Sequence, residues 1–131
     1  VLDSYGVPAD KLRHSDCGGI YQRYIDSEGY GYEGRAPWVN ATKPPGEWQH
    51  YEIWFKAPRF DAAGNKVSKA KFIKVLHNGQ VQHENEELSG PTRAATWPNS
   101  ETAKAPLMLQ GDHGPVAYRN IRLTPVDFSK F

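Results

Sequence analysis

The chain has little of what would mark a membrane protein or a nucleic-acid-binding protein. Its 131 residues include one cysteine, Cys17, so no intrachain disulfide can form. No apolar run approaches the roughly 20 residues that a membrane-spanning helix needs. The 16 basic and 15 acidic side chains leave a formal net charge of +1, without the excess of basic residues that a nucleic acid or an anionic membrane attracts. We therefore expect neither partner.

A helical pattern is also missing. No segment repeats its apolar residues with the period of an amphipathic helix, whereas 12 glycines and 10 prolines punctuate the chain. This combination predicts a single all-β domain over residues 1–131, built as an antiparallel sandwich or barrel. Within it, the glycines after Cys17 favour a buried, small apolar role for that side chain over a reactive thiol.

The clearest strand signals lie in the middle of the chain. Within 47–60, apolar residues alternate with polar ones, and Trp54 shares a face with Glu52 and Lys56. Residues 70–77 are apolar on both faces, as in a central strand, and Asn78-Gly79 predicts a type I′ turn into a strand over 80–88. The remaining predicted strands are 1–3, 17–24, 106–110 and 116–124, with a turn at 61–65 and loops at 4–16, 25–46 and 89–105.

An acid and a base stand side by side in the last predicted turn. Asp112 and His113 are flanked by Gly111 and Gly114, which let the backbone fold sharply around them. Functional side chains are often placed on such loops at the end of a rigid scaffold. The alternative is structural, in which Asp112 caps the turn and His113 is an exposed turn residue.

Three stretches together resemble the 3-keto-disaccharide hydrolase domain family. They are NATKPPGEWQHYEIWFKAPRFDAAGNKV, LHNGQVQHENEELSGPT and PLMLQGDHGPVAYRNIRLTP, and the resemblance extends over about residues 17–125. It implies a concanavalin-A-like antiparallel β-sandwich, or jelly roll, and chemistry on carbohydrates, mostly in periplasmic or secreted bacterial proteins. The family domain is longer, and the chain matches its C-terminal two-thirds. The sandwich is therefore expected to be incomplete at its N-terminus, or completed by an oligomer or a second chain that supplies strands.

The resemblance implies cleavage of glycosides oxidised to a ketone at C3 of the sugar. A ketone there acidifies the proton on C2, so a base can remove it and the C1 substituent can leave by elimination. His113 is the candidate base, because histidine is the side chain that titrates nearest neutral pH. Asp112 is expected to orient it, to act as the base itself or to bind a cation, and Asp3 is a second acid candidate with a turn cap as its alternative. We expect these groups on a concave polar sheet.

Further residues are candidates for holding a small-molecule glycoside. Arg119 fits a sugar hydroxyl or the enolate as well as it fits a structural salt bridge, and Asn120, unusual in a strand, fits a sugar contact or a bulge. The others are Gln110 on a polar strand side, Trp54 as a sugar platform or core residue, and Glu47 as an acid or a turn residue. A looser suggestion is a cap over the sugar site formed by Tyr24, Tyr30, Tyr32, Glu33, Arg35 and Trp38.

The residues leave the cofactor and the functional class open. No zinc spacing is present, and we expect His77 and His83 to pair across neighbouring strands rather than bind metal. A divalent cation such as Ca²⁺, held by scattered oxygen ligands, would leave no local signature. Because one fold hosts many functions, an enzyme, a lectin-like binding module and an assembly module that pairs its exposed strands all remain interpretations.

Overall fold

The computed structural model describes residues 4–92 and 101–128. The 3-10 turn Ala9–Lys11 is the only complete helical element in these ranges, and no helix in them is long and apolar enough to cross a membrane. All paired strands are antiparallel, so the predicted all-β class is confirmed. The strands are β1 Arg23–Ile25, β2 Tyr30–Tyr32, β3 Tyr51–Lys56, β4 Arg59–Phe60, β5 Lys66–Ser68, β6 Ala70–His77 and β7 Gln80–Leu88.

A three-stranded sheet in the order β3-β6-β7 is the centre of the structure. The predicted strands 70–77 and 80–88 are confirmed at both ends, and β6 is the central strand as its apolar sequence indicates. Asn78 and Gly79 have φ of 49° and 79°, the pair of positive values that a type I′ turn requires. Two small hairpins, β1-β2 and β4-β5, complete the described sheets.

Asn78 ties the β6-β7 turn to the chain that leads into β3. Its side-chain nitrogen donates to the Ala41 carbonyl and to Gln49 Oε1, both at 2.7 Å, and its side-chain oxygen accepts from the His50 backbone N–H at 2.8 Å. The Asn78 backbone N–H donates to the His50 carbonyl at 2.8 Å. These four bonds place the residue before Tyr51 against the end of β6, which sets the register of β3.

The first half of the chain differs from the sequence-based prediction. The predicted strand 17–24 is wrong over its first residues, because Gly18 with φ of 89° turns the backbone there, and pairing is limited to a bridge from Ile20 to Arg35 before β1 begins. The predicted loop 25–46 contains β2, paired to β1 with Tyr24 opposite Gly31. Glycine and tyrosine conceal this short hairpin, since they give no alternating pattern.

Other boundaries also shift. The predicted strand 47–60 divides into β3 and β4, separated by Ala57 and the buried Pro58, since proline cannot donate a ladder bond. The turn at 61–65 is confirmed, with Asp61 accepting from the Asn65 backbone at 2.8 Å; β5 was not predicted. The predicted strands 106–110 and 116–124 are wrong, because both segments lie exposed without a ladder partner in the described residues. Residues 1–3 lie outside the described residues.

Buried polar groups hold the loop around Cys17 against one end of the sheet. Cys17 is buried, as predicted, and its Sγ lies 3.0 Å from the Tyr51 hydroxyl. His83 Nε2 donates to the Gly18 carbonyl at 2.8 Å, and the His77 ring stacks on Tyr51 with centroids 4.3 Å apart. The expected pairing of His77 with His83 is wrong: the two-residue turn places His77 opposite Gln80, and a bulge at Gln82 places His83 opposite Val75.

Burial determines the protonation of these groups. It lowers the pKa of His77, with the Lys43 charge as a smaller cause, and it also lowers the pKa of His83. Burial, reinforced by Cys17, raises the pKa of the Tyr51 hydroxyl. Both histidines are at most 1% exposed, so each is neutral in the folded chain at neutral pH.

Replacing Asn78 is expected to destabilise the fold far more than replacing Asn85. Both residues have positive φ, 49° and 58°, so alanine at either position costs about 1 kcal/mol of backbone strain. Asn78→Ala also removes three side-chain hydrogen bonds, for a further loss of about 2 kcal/mol, whereas the Asn85 side chain is exposed. Urea unfolding of the two variants measures the difference. Equal losses would contradict the role assigned to the Asn78 amide.

Acid is expected to destabilise the chain through its buried histidines. Their folded pKa values lie below the ordinary value of 6.5, so the unfolded chain takes up protons first as the pH falls. The free energy of unfolding therefore decreases as the pH drops below about 6.5, and the slope becomes smaller in His83→Gln, whose amide still donates to Gly18. His50→Gln, at an exposed position, is the matched control. A slope unchanged in His83→Gln would contradict this origin.

Candidate functional site

The predicted Asp112–His113 pair is formed in the structure. Asp112 Oδ1 and His113 Nδ1 lie 2.8 Å apart, and the Gln110 side-chain nitrogen lies 3.2 Å from the same ring nitrogen. Gly114, with φ of 113°, allows the sharp bend after the pair. The Tyr118 hydroxyl donates to the Gln110 carbonyl and closes the loop. We call Gln110, Asp112, His113 and Tyr118 the 110–118 corner.

The hydrogen bonds of the corner define which histidine nitrogen is available. The bond from His113 is the largest cause that lowers the pKa of Asp112, and a bond from Gln110 is the next. Asp112 is therefore a carboxylate at neutral pH and can only accept hydrogen bonds. His113 Nδ1 must then carry the donated proton, which leaves the lone pair of a neutral ring on Nε2.

The corner is open to solvent. The side chains of His113 and Asp112 are 57% and 69% exposed, and neither lines the cavity of about 1000 Å³ that lies against the central sheet. The expectation that the pair lies on a concave polar sheet is wrong for the described residues. The predicted strands on either side of the pair are unpaired, so no sheet curves around it.

Arg119 lies against an aromatic ring rather than a carboxylate. Its guanidinium carbon is 3.7 Å from the centroid of the Trp48 ring, a cation–π contact. The alternative of a salt bridge is not observed among the described residues. Asn120 has φ of 55°, a backbone conformation that asparagine tolerates better than most residues, so its presence has a local structural reason.

The other predicted site residues lie apart from the corner. Trp54 is on β3, on the same sheet face as its cross-strand neighbour Lys74, and is 39% exposed. Glu47 is a turn residue whose backbone N–H donates to the Pro44 carbonyl at 3.1 Å. Asp3 lies outside the described residues. The structure therefore brings together Gln110, Asp112 and His113, and places Arg119 beside Trp48, the neighbour of Glu47 in the chain.

A cavity of about 1000 Å³ lies against the face of the central sheet opposite to Trp54. The loop around Cys17 closes one side of it, and the segment 101–107 closes another. Its sheet wall is mostly apolar: beside His83 it is formed by Tyr51, Ile53, Phe55, Ala70, Phe72, Val75 and Leu88. A hollow of this size and polarity is typical of sites that hold apolar groups.

One charged cluster borders this cavity. Arg23 donates to the Pro91 carbonyl at 3.2 Å and to the Ser89 hydroxyl, and lies 3.7 Å from Glu33. Ser89 donates to Glu33 Oε2 at 2.6 Å, which is the largest cause that lowers the pKa of Glu33. Lys66 joins the same region by pairing with Glu101 and donating to the Ser89 carbonyl at 2.7 Å.

Sequence reasoning missed most of this cluster. It named Glu33 only as part of a tyrosine-rich loop and did not name Arg23 or Ser89, which are 66 residues apart in the chain. No local pattern connects positions so distant. Glu33 has φ of 58°, a strained conformation for a non-glycine residue that occurs often at functional sites. No cluster of three or more metal-ligating side chains occurs within 4–92 and 101–128.

Comparison with known proteins gives two matches. A family model described as the 3-keto-alpha-glucoside-1,2-lyase-like domain matches residues 1–124. A crystal structure of a candidate glycosyl hydrolase from Parabacteroides distasonis ATCC 8503 is 29% identical, with a TM-score of 0.43. The match covers 52% of this chain and 28% of that one, so the chain spans about a quarter of its length. No curated protein matches.

Removing the Arg119 contact is expected to loosen the C-terminal segment. Arg119→Ala deletes the cation–π contact with Trp48, worth about 1 kcal/mol at an exposed site. Residues 106–123 should then exchange their amide hydrogens faster and be cut sooner by trypsin at Arg122. Arg122→Ala is the matched control, because that side chain is exposed and has no ring contact among the described residues. Since this change removes the trypsin site, the control is measured by hydrogen exchange alone. Equal exchange in both variants would contradict the contact.

Proposed function

The chain belongs to the 3-keto-alpha-glucoside-1,2-lyase-like domain family, and on this premise we propose that it cleaves 3-keto-glycosides at the 110–118 corner. Family membership supports a role on carbohydrates. The observation that carries the finer proposal is the 2.8 Å hydrogen bond between Asp112 and His113. It pairs a carboxylate with an imidazole whose second nitrogen is accessible. We propose a periplasmic or secreted location by the same family resemblance.

The reaction begins with removal of a proton from C2 of the sugar. The electron pair of the C2–H bond moves toward the C3 carbonyl and gives an enolate, while the proton moves to His113 Nε2. The enolate then re-forms the carbonyl and the C1–oxygen bond breaks, so that the electron pair leaves with the aglycone, which takes up a proton. Water adds across the resulting C1–C2 double bond to give the free 3-keto sugar, and the sum is hydrolysis.

Asp112 has a defined part in this scheme. Its carboxylate accepts the proton on His113 Nδ1, which holds the ring so that Nε2 faces outward and stabilises the imidazolium formed after proton transfer. Gln110 donates to the same carboxylate and restricts its rotation. Asp112 acts here as a positioning residue, because it touches the base and not the sugar.

Stabilising the enolate requires positive charge or hydrogen-bond donors. Arg119 is the cation next to the corner in the chain, and its contact with Trp48 presents an aromatic face and a guanidinium together. Asn120, Gln110, Trp54 and Glu47 stay proposed contacts to the sugar, and Asp3 stays the proposed second acid. The scheme has no step that uses the proposed cation, Ca²⁺. Its effect is to be tested by adding it to the assay.

A 3-keto-glucoside with a chromogenic aglycone tests the proposal. The wild-type chain should release the aglycone, and His113→Ala should lower the rate by about 10²–10⁴-fold, the usual contribution of a general base. Asp112→Asn should lower it less and change the pH profile, because the ring loses its carboxylate partner. His50→Ala is the matched control, since His50 lies 3.4 Å from Glu52 in a similarly exposed pair. Undiminished release by His113→Ala would overturn the assignment.

The exposure of the corner favours a second candidate, a lectin-like carbohydrate-binding module. General-base catalysis gains from a site that excludes water, whereas the His113 side chain is 57% exposed. Exposed aromatic rings such as Trp48 and Trp54 suit stacking on a sugar. This second candidate predicts that wild type and His113→Ala bind the 3-keto-glucoside equally and that neither releases the aglycone. That result would favour the binding module over the enzyme.

A further inference from the structure

The apolar cavity against the central sheet is separate from the 110–118 corner, since no residue of the corner lines it. Its volume of about 1000 Å³ is at the upper end of the range for small-molecule sites. The loop around Cys17 borders one side and the segment 101–107 borders another, so the space lies between chain segments and is more than a bare sheet face. A small molecule with a mostly apolar surface fits such a space.

The sheet wall of the cavity favours an aromatic ligand. Phe55 and Phe72 are cross-strand neighbours with ring centroids 5.1 Å apart, and both line the cavity. Ile53, the neighbour of Val75 on the same wall, is 56% exposed. Aromatic rings attract one another in stacked and edge-to-face arrangements, and apolar surface gains free energy when it leaves water. A flat ring placed against this wall is stabilised by both effects.

The charges around the cavity balance one another. The charged side chains that line it are Asp16, Arg23, Glu33, Glu101 and Lys104. Arg23 lies 3.7 Å from Glu33, and Glu101 pairs with Lys66. Lys104 has no ion pair within residues 4–92 and 101–128, but with Lys66 the acidic and basic groups are equal in number. Because enclosing a charge without a partner is costly, this balance favours an uncharged ligand.

Tyr51 supplies a hydrogen-bond donor on the same wall. Its hydroxyl lies 3.0 Å from Cys17 Sγ, and both residues line the cavity. Burial raises the pKa of Tyr51, so the hydroxyl keeps its proton at neutral pH. A thiol is a weak partner, and the hydroxyl therefore loses little when it turns to a ligand oxygen. His83 offers the cavity no such group, because its Nε2 donates to the Gly18 carbonyl and its Nδ1 is buried.

We propose that this cavity is a second binding site, which takes an uncharged aromatic molecule that carries a hydroxyl or carbonyl oxygen. The aromatic ring lies against Phe55 and Phe72. The oxygen accepts a hydrogen bond from the Tyr51 hydroxyl in place of the Cys17 thiol. The site does not depend on the proposed cleavage of glycosides, because Asp112 and His113 do not line the cavity.

Displacement of Nile red, an uncharged dye that fluoresces in apolar surroundings, tests the ligand class at neutral pH. The wild-type chain should enhance the dye's fluorescence. Displacement should need less 2-naphthol than naphthalene, which lacks the oxygen, and most of the anionic 2-naphthoate. Tyr51→Phe keeps the ring that stacks on His77 but removes the hydroxyl. It should weaken 2-naphthol about fivefold, the usual worth of one hydrogen bond, and leave naphthalene unchanged.

Variants that fill the cavity assign the binding to this place. Ile53→Trp should raise the Kd of Nile red about tenfold by overfilling the space, and Leu107→Trp, from the segment 101–107, should do the same if Ile53→Trp fails to fold by circular dichroism. Val67→Trp is the matched control, because Val67 is 63% exposed and does not line the cavity.

Four results overturn the proposal. They are no fluorescence with the wild-type chain, an unchanged Kd in the folded filling variants, 2-naphthoate that binds as tightly as 2-naphthol, and a Tyr51→Phe variant that weakens naphthalene as much as 2-naphthol. Release of aglycone from a 3-keto-glucoside is a separate measurement, so the two proposals can fail independently.

Discussion

The described fold depends on the side-chain amide of Asn78. A type I′ turn needs positive φ at both central residues, and asparagine provides this while its amide remains free to bond elsewhere. Here the amide forms hydrogen bonds with Ala41, Gln49 and His50. The turn therefore also fixes a segment that lies earlier in the chain, by 37 residues in the case of Ala41. Without that link, nothing in the turn itself would determine how β3 aligns with β6.

The same sheet is held on its apolar face by polar contacts rather than by a deep core. Among the described residues few apolar side chains are fully buried, whereas Ser4, His77, Gln82 and His83 are. Each anchors irregular chain, as when His83 holds the Gly18 carbonyl and Ser4 accepts the Cys17 backbone N–H at 2.8 Å. Hydrogen bonds to buried groups are directional, so these loops take defined positions although they lack a regular ladder.

The sequence predicts features that depend on neighbouring residues, and it does not predict contacts between distant positions. The bounds of β6 and β7 follow from apolar patterning and from Asn78-Gly79, and Asp112 beside His113 is visible in the sequence itself. The segments 106–110 and 116–124 have the composition of strands, but a strand also needs a neighbouring backbone, which composition does not report. The Arg23, Ser89 and Glu33 cluster unites distant positions, and no spacing rule would have found it.

The main constraint on the proposed reaction is that the Asp112–His113 pair lies outside the apolar cavity. The imidazole and carboxylate lie in solvent, and neither side chain lines the apolar cavity against the central sheet. An enolate gains most from donors that are already oriented in a site without water, so the substrate itself must displace water at the corner when it binds. A ring that covers Trp48 would do this beside Arg119, because their contact already places a cation over an aromatic face. The size and hydrophobicity of the aglycone should therefore matter for the rate as well as for binding.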